Sequence, residues 1–462
     1  MFCWLIITFL AIFHLLFFWA VSRCLRGTLG PNLAQDVTIV TDSMVSKDYA
    51  SEMDAKDPLH QYRDEFHLPA DTGKTPPIYF LGNSLGLQPK TVRAHLESVM
   101  NSWEQWGVEA YTKGDRPWVS YEDAVRDSVA RIMGAKSTEV VLMNSLTVNL
   151  HLMLVSFYRP TTSRYKVIIE QKVFPSDHYA IKSQMRFHGI NPADALIEVK
   201  AQPGEATLQN DDFRQVLEKE GDSIALILLG GVNYYSGQAF DLAYIAQLGH
   251  EYGCVVGYDL AHAAGNILLK LHGWKVDFAV WCTYKYMNGG PAGPGGCFVH
   301  EQHELASDLP RFEGWWGNKL ENRFLMRPDI DPIVGASGWQ ISCISPLALA
   351  SLDASMKLFD TTTMTQLREK SVKLTGYLEF LLNEIGSDQF SILTPSNPDY
   401  RGCQLSIRTH QNGKELFDHL TQAGIYCDWR EPDVIRVAPT PFYNTFTEVY
   451  QFAEVIKKAS SK

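Results

Sequence analysis

Two side chains that could do chemistry together, an aspartate and a lysine, follow two neighbouring apolar segments. Asp259 comes directly after the apolar residues 254–258, and Lys285 comes shortly after Phe278–Cys282. The length and composition of both segments predict buried strands of a parallel sheet. Because ligands of such sheets bind at the carboxyl ends of the strands, we expect Asp259 and Lys285 to reach one crevice.

A lysine and an acid in one crevice suit pyridoxal phosphate. This cofactor forms a Schiff base with a lysine, and an aspartate keeps its pyridine nitrogen protonated so that the ring can accept electrons. Each residue taken alone has an ordinary interpretation, with Lys285 as a solvated loop residue and Asp259 as a helix cap. The segments around them favour the cofactor.

A strand-to-helix turn upstream is suited to the phosphate of that cofactor. Ser145, Leu146 and Thr147 lie between the apolar residues 140–143 and the helical pattern of residues 148–157. The free N–H groups at the start of a helix, beside a hydroxyl, form an anion site. Capping of the helix by Ser145 or Thr147 is the alternative, and the two roles are compatible.

Two further strand ends carry suitable side chains. Phe174-Pro175-Ser176-Asp177 follows the apolar Lys166–Glu170 and offers an aromatic face and a carboxylate to the ring. Tyr234 and Tyr235 follow the apolar residues 224–229 and offer phenolic donors to phosphate. Several strands with such residues after them predict one cofactor site at a shared sheet edge.

Composition limits the class of protein. The chain has 462 residues, of which 45% are hydrophobic and 20% charged, as in an ordinary globular protein of two to three domains. A net charge of −11 argues against nucleic acid as the main partner. The eight cysteines are scattered without a C-x-x-C pair, which predicts a reducing compartment and no structural metal.

The first residues differ from the rest of the chain. Residues 1–21 are almost wholly apolar and long enough to cross a bilayer. The charges of Arg23 and Arg26 follow this segment, which predicts a transmembrane anchor over residues 1–22 and a body on the cytoplasmic side. A cleaved signal segment is one alternative, and synthesis that starts at Met44, giving a cytoplasmic enzyme, is another.

Apolar strands alternate with helical patterns after a linker over residues 23–77. The strand candidates are residues 140–143, 166–170, 224–229, 254–258, 278–282 and 296–299, and the helix candidates between or beside them are residues 92–106, 179–188 and 240–252. This alternation predicts an α/β large domain over residues 78–335, with a mostly parallel sheet flanked by helices. A long helix over residues 346–386, followed by short strands, predicts a smaller α+β domain over residues 336–462.

Long, ordered segments show a resemblance to a known family. Across nearly all of residues 50–458 the chain resembles the kynureninases, which are fold-type-I pyridoxal-phosphate enzymes. The segments that carry the resemblance are residues 79–89, 144–151, 174–180, 259–263, 283–286 and 436–439. The resemblance implies hydrolysis of the Cβ–Cγ bond of L-kynurenine or 3-hydroxy-L-kynurenine in tryptophan catabolism. The products would be alanine and anthranilate or 3-hydroxyanthranilate, and the enzyme would be a homodimer with its active site between the subunits.

The resemblance also implies roles for single residues in holding the cofactor. Lys285 would form the Schiff base and Asp259 would pair with the pyridine nitrogen, while Phe174 would stack on the ring. The remaining cofactor contacts implied are Leu146, Thr147, Tyr235 and Tyr284 at the phosphate, and Pro175, Ser176, Asp177, Gly230, His262, Trp315 and Cys343 elsewhere in the pocket.

Further residues would act on the substrate. Arg436 would bind the α-carboxylate, for which its planar fork is suited. Tyr111 and Ser342 would lie near the aryl end of the substrate. Once the substrate amine has displaced Lys285, the freed lysine can take the α-proton, and Tyr284 is expected to help protonate the leaving carbon.

Three positions depart from the family pattern. Gly230 stands where a serine near the phosphate is common, Tyr111 where a histidine contacts the aromatic ring, and Cys343 where an asparagine is usual. An amide that hydrogen-bonds a substrate hydroxyl can discriminate strongly between analogues. Its loss predicts an altered preference between kynurenine and 3-hydroxykynurenine, or acceptance of another aryl-ketone amino acid.

Two other classes of protein stay open on the sequence alone. A different enzyme of the same fold, such as a desulfurase or an aminotransferase, would need a mobile cysteine loop or a second set of carboxylate ligands. A non-catalytic, membrane-tethered relative would have no need of Lys285, Asp259 and Arg436 together, so their joint presence argues against it.

Overall fold

A computed structural model describes residues 43–69, 77–304, 309–386 and 388–460. The chain divides into two units, Met1–Asp57 and Pro58–Lys462. The described part of the first unit holds helix α1, Lys47–Ala55, whose start is capped by the Ser46 side chain accepting from the Tyr49 N–H.

The prediction of a transmembrane helix needs correction. Among the residues that the structure describes, no helix is both long and apolar enough to cross a membrane. Residues 1–21, on which the prediction rested, lie outside the described residues, so the structure gives no support for an anchor there.

The large sheet of the second unit has seven strands. In chain order the strands of this unit are β1 Phe66–His67, β2 Ile78–Tyr79, β3 Gln88–Pro89, β4 Val140–Leu142, β5 Lys166–Glu170, β6 Leu196–Val199, β7 Ile224–Gly230, β8 Val255–Asp259, β9 Phe278–Cys282, β10 Gly295–Val299, β11 Phe390–Ile392, β12 Leu405–Thr409, β13 Ile425–Tyr426, β14 Asp428–Arg430 and β15 Val434–Val437. The sheet order is β4-β10-β9-β8-β7-β5-β6, and only β10 runs antiparallel to its neighbours. The predicted mostly parallel α/β sheet is therefore confirmed.

Every strand predicted for this sheet is present, with its ends shifted by no more than one residue. All seven residues of β7 are buried, as expected for a strand covered on both faces. Each fully buried Leu or Ile of such a strand contributes about 1.5–3 kcal/mol to folding. Strand β6 was not predicted, because this edge strand is short, half-buried and interrupted by Glu198.

Helices connect these strands and cover them. The helices after α1 are α2 Val92–Trp106, α3 Tyr121–Met133, α4 Leu146–Phe157, α5 Pro175–Phe187, α6 Pro192–Ala195, α7 Asn210–Glu220, α8 Leu242–Glu251, α9 Leu320–Arg323, α10 Pro346–Phe359, α11 Met364–Ile385, α12 Gly413–Gln422 and α13 Phe446–Ser460. The prediction of one long helix over residues 346–386 is wrong, because two helices, α10 and α11, cover these residues. Thr363 starts the second of them, with a capping box in which its side chain and that of Gln366 satisfy each other's backbone N–H groups.

A second, antiparallel sheet lies late in the chain, in the order β11-β12-β15-β14. It carries Arg436 on β15, directly opposite Asp428 on β14. The domain boundary predicted between residues 335 and 336 stays a prediction.

The carboxylate of Asp277, directly before β9, stabilises the large sheet. It lies at the edge opposite the one at which Asp259 ends β8. Asp277 accepts hydrogen bonds from the His250 ring at 2.9 Å, the His303 ring at 2.8 Å and the Val256 N–H at 2.7 Å. Burial alone would raise the pKa of Asp277, but these bonds outweigh it and hold that pKa at about 2. A carboxyl with a depressed folded-state pKa stabilises the fold above its unfolded pKa of about 3.9 and loses that effect as the pH falls through its folded pKa.

We expect Asp277→Asn to lower the free energy of unfolding at pH 7 by roughly 2 kcal/mol. The deficit should shrink as the pH falls below about 4, where the carboxyl of the unfolded chain takes up its proton, and should vanish near pH 2, where the native carboxylate is protonated as well. Urea unfolding midpoints across that pH range measure the effect, with the exposed Asp211→Asn as the control. A variant as stable as the native chain at pH 7 would contradict the assignment.

Candidate active site

The predicted crevice is present at the carboxyl ends of the parallel strands. It encloses a cavity of about 270 Å³. Its lining residues are Asn83, Ser84, Leu146, Thr147, Glu170, Phe174, Ser176, Asp177, Gly230, Val232, Tyr234, Asp259, Ala261, His262, Tyr284, Lys285, Arg430 and Arg436. Residues that are far apart in sequence meet here because parallel strands end at the same edge of the sheet.

Asp259 and Lys285 both line this cavity, as predicted. Asp259 is the last residue of β8, is 6% exposed, and accepts a hydrogen bond from the Ala261 N–H at 2.8 Å. Lys285 follows the neighbouring strand β9, and its Nζ lies 5.8 Å from the ring centre of Tyr284.

Asp259 shares its environment with a second buried carboxyl, Asp177. Burial raises the pKa of Asp177 well above its ordinary value, and the adjacent Asp259 carboxylate raises it further. We therefore assign one proton to the pair and place it on Asp177, which donates to Asp259. One Asp177 oxygen, Oδ1, has no hydrogen-bond partner among the described residues.

Two helix starts meet on another wall of the cavity. Helix α4 begins at Leu146, and within the described structure the side chain of its N-cap Ser145 makes no capping hydrogen bond. Helix α5 begins at Pro175, and the Ser176 hydroxyl lies 2.9 Å from the Thr147 hydroxyl. The positive ends of two helix dipoles and two hydroxyls can hold a phosphate.

The segment of residues 79–89 fixes the backbone at Lys285. The Gly86 N–H donates to the Tyr284 carbonyl at 2.8 Å. A Cβ on Gly86 would lie 2.3 Å from the carbonyl oxygen of Lys285 and 2.2 Å from Oδ1 of Asn288, so only glycine allows this approach.

Two aromatic rings complete the cavity wall. Burial lowers the pKa of His262 well below its ordinary value, so its imidazole is neutral, and its Nδ1 has no hydrogen-bond partner within the described residues. Phe174 is 45% exposed and packs edge-on against Tyr234, with ring centres 5.3 Å apart. A flat ligand therefore meets one neutral imidazole and one exposed aromatic ring.

Burial also determines the protonation state of a phenol beside Lys285. Burial raises the pKa of Tyr284, and the nearby Cys282 and Asp259 raise it further. Tyr284 is therefore a proton donor rather than a phenolate near neutral pH.

Not all predicted site residues line the cavity. The Tyr235 hydroxyl donates to Asp433 at 3.0 Å, and Tyr234 lines the cavity instead. Pro175 is the first residue of α5 and contributes no lining surface. Tyr111, Trp315, Ser342 and Cys343 are also absent from the lining.

Tyr111 and Cys343, two of the positions that depart from the family pattern, contact each other. The Cys343 thiol donates to the Ile344 carbonyl at 3.3 Å and lies near the Tyr111 hydroxyl, so that burial, followed by this thiol, raises the pKa of Tyr111. Tyr111 also packs near Trp316, with ring centres 6.3 Å apart. Trp315 is 49% exposed and its indole N–H donates to the Arg323 carbonyl at 2.9 Å. These residues form a second cluster, which we call the aryl cluster: Tyr111, Trp315, Trp316 and Cys343.

Sequence reasoning missed several residues of the cavity. Glu170, the last residue of β5, is 2% exposed and accepts from the Gly230 N–H at 3.2 Å. Burial raises the pKa of Glu170 to about 7. A side chain at residue 230 would place its Cβ 3.0 Å from Glu170 Oε1. Because residue 230 is glycine, the Glu170 carboxyl can approach and accept from the Gly230 N–H. Its place at a strand end was the signal that could have found Glu170, whereas Arg430 carried no comparable signal.

Outside the cavity, Glu139, His272 and His300 offer possible metal ligand atoms within 4.8 Å of one another. Hydrogen bonds already account for this group. Glu139 accepts from the His272 ring and from the Lys136 and Glu301 N–H groups. His300 accepts from the Gln302 N–H and donates to the His272 carbonyl. We therefore interpret this group as a hydrogen-bonded cluster.

The residues of the cavity fit pyridoxal phosphate. The buried Asp259 carboxylate suits a protonated ring nitrogen, and the two helix starts suit the phosphate. Lys285 supplies the amine that this cofactor requires, and the unpaired atoms Asp177 Oδ1 and His262 Nδ1 are buried polar groups without described partners.

Solved structures show the same fold. The chain superposes on the apo cysteine desulfurase of Thermococcus onnurineus NA1 with a TM-score of 0.68 and 16% identity, covering 83% of this chain and 95% of that one. It superposes on a variant of the lyase C-DES, which carries glycine linked to its PLP cofactor, with a TM-score of 0.70 and 16% identity, covering 85% and 98%. Fold and site together define a fold-type-I pyridoxal-phosphate enzyme.

The more similar relatives give the family. The chain is 52% identical to the kynureninase of Koribacter versatilis, over 88% of this chain and 96% of that one. It is 50% identical to the kynureninase of Flavobacterium psychrophilum, over 89% and 97% of the two chains. The family model described as the kynureninase C-terminal domain matches residues 367–456. The chain belongs to the kynureninase family of pyridoxal-phosphate-dependent hydrolases, and the predicted family, cofactor and reaction class are confirmed.

Proposed function

We propose that the cavity hydrolyses the Cβ–Cγ bond of L-kynurenine, with anthranilate and L-alanine as products. The observation that supports this most strongly is the convergence of Lys285, Asp259 and Arg436 on one cavity in a chain of the kynureninase family. No observation favours the alternatives of another aryl-ketone substrate or a non-catalytic role.

Bound pyridoxal phosphate would supply an electron sink next to the substrate's Cα. Lys285 would hold the cofactor, Asp259 would keep a proton on its ring nitrogen, and the starts of α4 and α5 would bind its phosphate. The free amine of Lys285 would be the base that removes the α-proton. Addition of water to the γ-carbonyl would let the Cβ–Cγ bond break, with the carbonyl carbon leaving as the carboxylate of anthranilate, and the protonated phenol of Tyr284 would deliver a proton to Cβ.

Arg436 is the proposed ligand of the substrate's α-carboxylate. It is 1% exposed, yet it lines the cavity at the end of the second sheet. A buried guanidinium with donors directed into a cavity favours a bidentate carboxylate ligand.

We propose further that the enzyme is a homodimer and that each subunit places its aryl cluster at the partner's cavity. The support is that Tyr111, Trp315 and Cys343 do not line the cavity of their own chain. The chain also exposes apolar side chains around Trp315, namely Phe312, Leu320, Phe324, Leu325 and Met326. Light scattering should give twice the chain mass of 52.1 kDa, and a monomer that is fully active would contradict this arrangement.

The contact between Tyr111 and Cys343 supports a preference for kynurenine over 3-hydroxykynurenine. The thiol is bonded to the Ile344 carbonyl beside the Tyr111 hydroxyl, and neither position offers an amide to a substrate hydroxyl. A cytoplasmic location and the division of the second unit into two domains stay predictions.

The test compares both substrates. We expect the purified chain, loaded with pyridoxal phosphate, to release anthranilate from kynurenine with a higher kcat/KM than 3-hydroxyanthranilate from 3-hydroxykynurenine. Cys343→Asn should raise the relative kcat/KM for 3-hydroxykynurenine by about tenfold, because it introduces an amide that can bond the hydroxyl.

Cys343→Ser is the matched control, since it removes the thiol without introducing an amide. It should leave the ratio within about twofold of the native value, a shift small beside a hydrogen-bond discrimination. Turnover of neither substrate, with cofactor bound, would overturn the proposed function. An unchanged ratio in Cys343→Asn would overturn only the role given to the aryl cluster.

A further inference from the structure

One carboxylate lies between the two arginines of the cavity. Asp428 on β14 is the direct cross-strand partner of Arg436 on β15, so their side chains share a face of the sheet. Arg430 is two residues further along β14 and therefore lies on the same face. Asp428 thus contacts both cationic groups that line the cavity on this side.

The hydrogen bonds of Asp428 are directed at one edge of the Arg436 guanidinium. Its Oδ1 accepts from Arg436 Nε at 3.2 Å, and its Oδ2 accepts from Arg436 Nη2 at 2.5 Å. Oδ2 also accepts from Arg430 Nη2 at 2.9 Å and from the Ser84 hydroxyl at 3.3 Å. A carboxylate that accepts four hydrogen bonds is fixed in place, and so is the guanidinium bound to it.

Some N–H donors of Arg436 are not used by its hydrogen bonds to the described residues. A guanidinium has five N–H groups. Asp428 takes one from Nε and one from Nη2, and the Tyr234 carbonyl takes one from Nη1 at 2.8 Å. The two that remain are one N–H on Nη1 and one on Nη2. These two terminal nitrogens form the outer edge of the group, which can bind the two oxygens of one carboxylate.

The charges on this side of the cavity also favour a carboxylate as the ligand. Arg430 and Arg436 carry two positive charges and Asp428 one negative charge, which leaves one positive charge. One bound carboxylate neutralises it. Without Asp428, the guanidinium of Arg436 would be buried at 1% exposure with no counter-charge of its own.

We propose that Asp428 is the positioning residue for substrate recognition, which holds Arg436 so that only its outer edge is open to the substrate's α-carboxylate. This inference rests on the proposed function, in which Arg436 binds that carboxylate. Asp428 itself touches neither the substrate nor the reacting atoms.

The experiment compares kynurenine with its α-carboxamide, which lacks the carboxylate. In Asp428→Asn we expect kcat/KM for kynurenine to fall by about tenfold or more, mainly through a raised KM, because a misplaced binding group costs up to about a hundredfold. The kcat/KM for the amide should change by less than about twofold, since the amide makes no carboxylate contact with Arg436. The dissociation constant of pyridoxal phosphate should stay unchanged.

The two substrates separate positioning from mere support of the fold. A loss of equal size for kynurenine and its amide would overturn the proposal, because structural damage does not depend on the carboxylate. Asp428→Glu, which keeps the charge, should recover part of the loss for kynurenine. If Asp428→Asn does not give folded protein, Asp428→Ser makes the same comparison.

Arg436→Lys in the same assay tests the premise. Discrimination between kynurenine and its amide should fall in Arg436→Lys, because an ammonium cannot bind a carboxylate in bidentate fashion. If Arg436→Lys loses this discrimination while Asp428→Asn keeps it, the role of Asp428 is overturned and the proposed function stands. If neither variant alters it, Arg436 does not bind the carboxylate and both fail.

Discussion

Replacing Lys285 with alanine is expected to lower turnover of kynurenine by at least about 10³-fold. Two proposed roles of Lys285 are lost together, the covalent attachment of the cofactor and the removal of the α-proton. Lys285 is the only lysine among the residues that line the cavity in the described structure, so no neighbouring amine can replace it.

Anthranilate release measures this loss, and absorbance spectroscopy shows at the same time whether cofactor is still bound. Lys200→Ala, at an exposed lysine far along the chain from the cavity residues, is the matched control and should keep its activity within about twofold, as surface substitutions do. If Lys285→Ala kept more than a tenth of native turnover, the cavity described here would not be the site of the reaction.

Asp259→Asn is expected to lower kcat by about 10²- to 10³-fold, the cost of removing one partner from a buried ion pair. The amide occupies the same space and can still accept from the Ala261 N–H. It carries no charge, however, so it cannot stabilise a proton on the ring nitrogen of the cofactor. The effect is therefore electrostatic, with little change in packing.

Two measurements distinguish this from a failure to fold. The kcat at saturating pyridoxal phosphate should fall, and the dissociation constant of the cofactor should rise, while the thermal unfolding midpoint without cofactor should not fall. Asp259→Glu keeps the charge and should keep more activity than Asp259→Asn. Equal activity of the native chain and Asp259→Asn would remove Asp259 from the mechanism.

The buried strands and the edge at which they end were the predictable part of this protein. Runs such as Phe278–Cys282 are apolar, short and followed by polar residues, and those properties alone set both the strand and the side of the sheet to which Lys285 belongs. Strand β6 lacked these properties because an edge strand is covered on fewer sides and tolerates a residue such as Glu198.

The features of the site that could not be predicted depend on the register of single residues or on contacts between residues far apart in the sequence. Tyr234 and Tyr235 are adjacent, yet one lines the cavity and the other bonds Asp433, and no local pattern distinguishes them. The pairing of Asp428 with Arg436 is set by the register of two strands joined by a turn. The contact between Tyr111 and Cys343 joins distant parts of the chain that carry no shared pattern.

The place of β4 in the sheet has a consequence for synthesis of the chain. β4 is an edge strand whose single neighbour is β10, and β10 is made about 150 residues later. At about 5–20 residues per second, the turn after β4, which we propose as the phosphate site, is made roughly 8–30 s before the strand that pairs with β4. During that time the apolar helix α4, with Leu150 and Met153, has no completed sheet to cover it. A nascent chain that ends before Gly295 therefore carries Asp259, Lys285 and the turn after β4, but lacks the strand that joins β4 to the rest of the sheet.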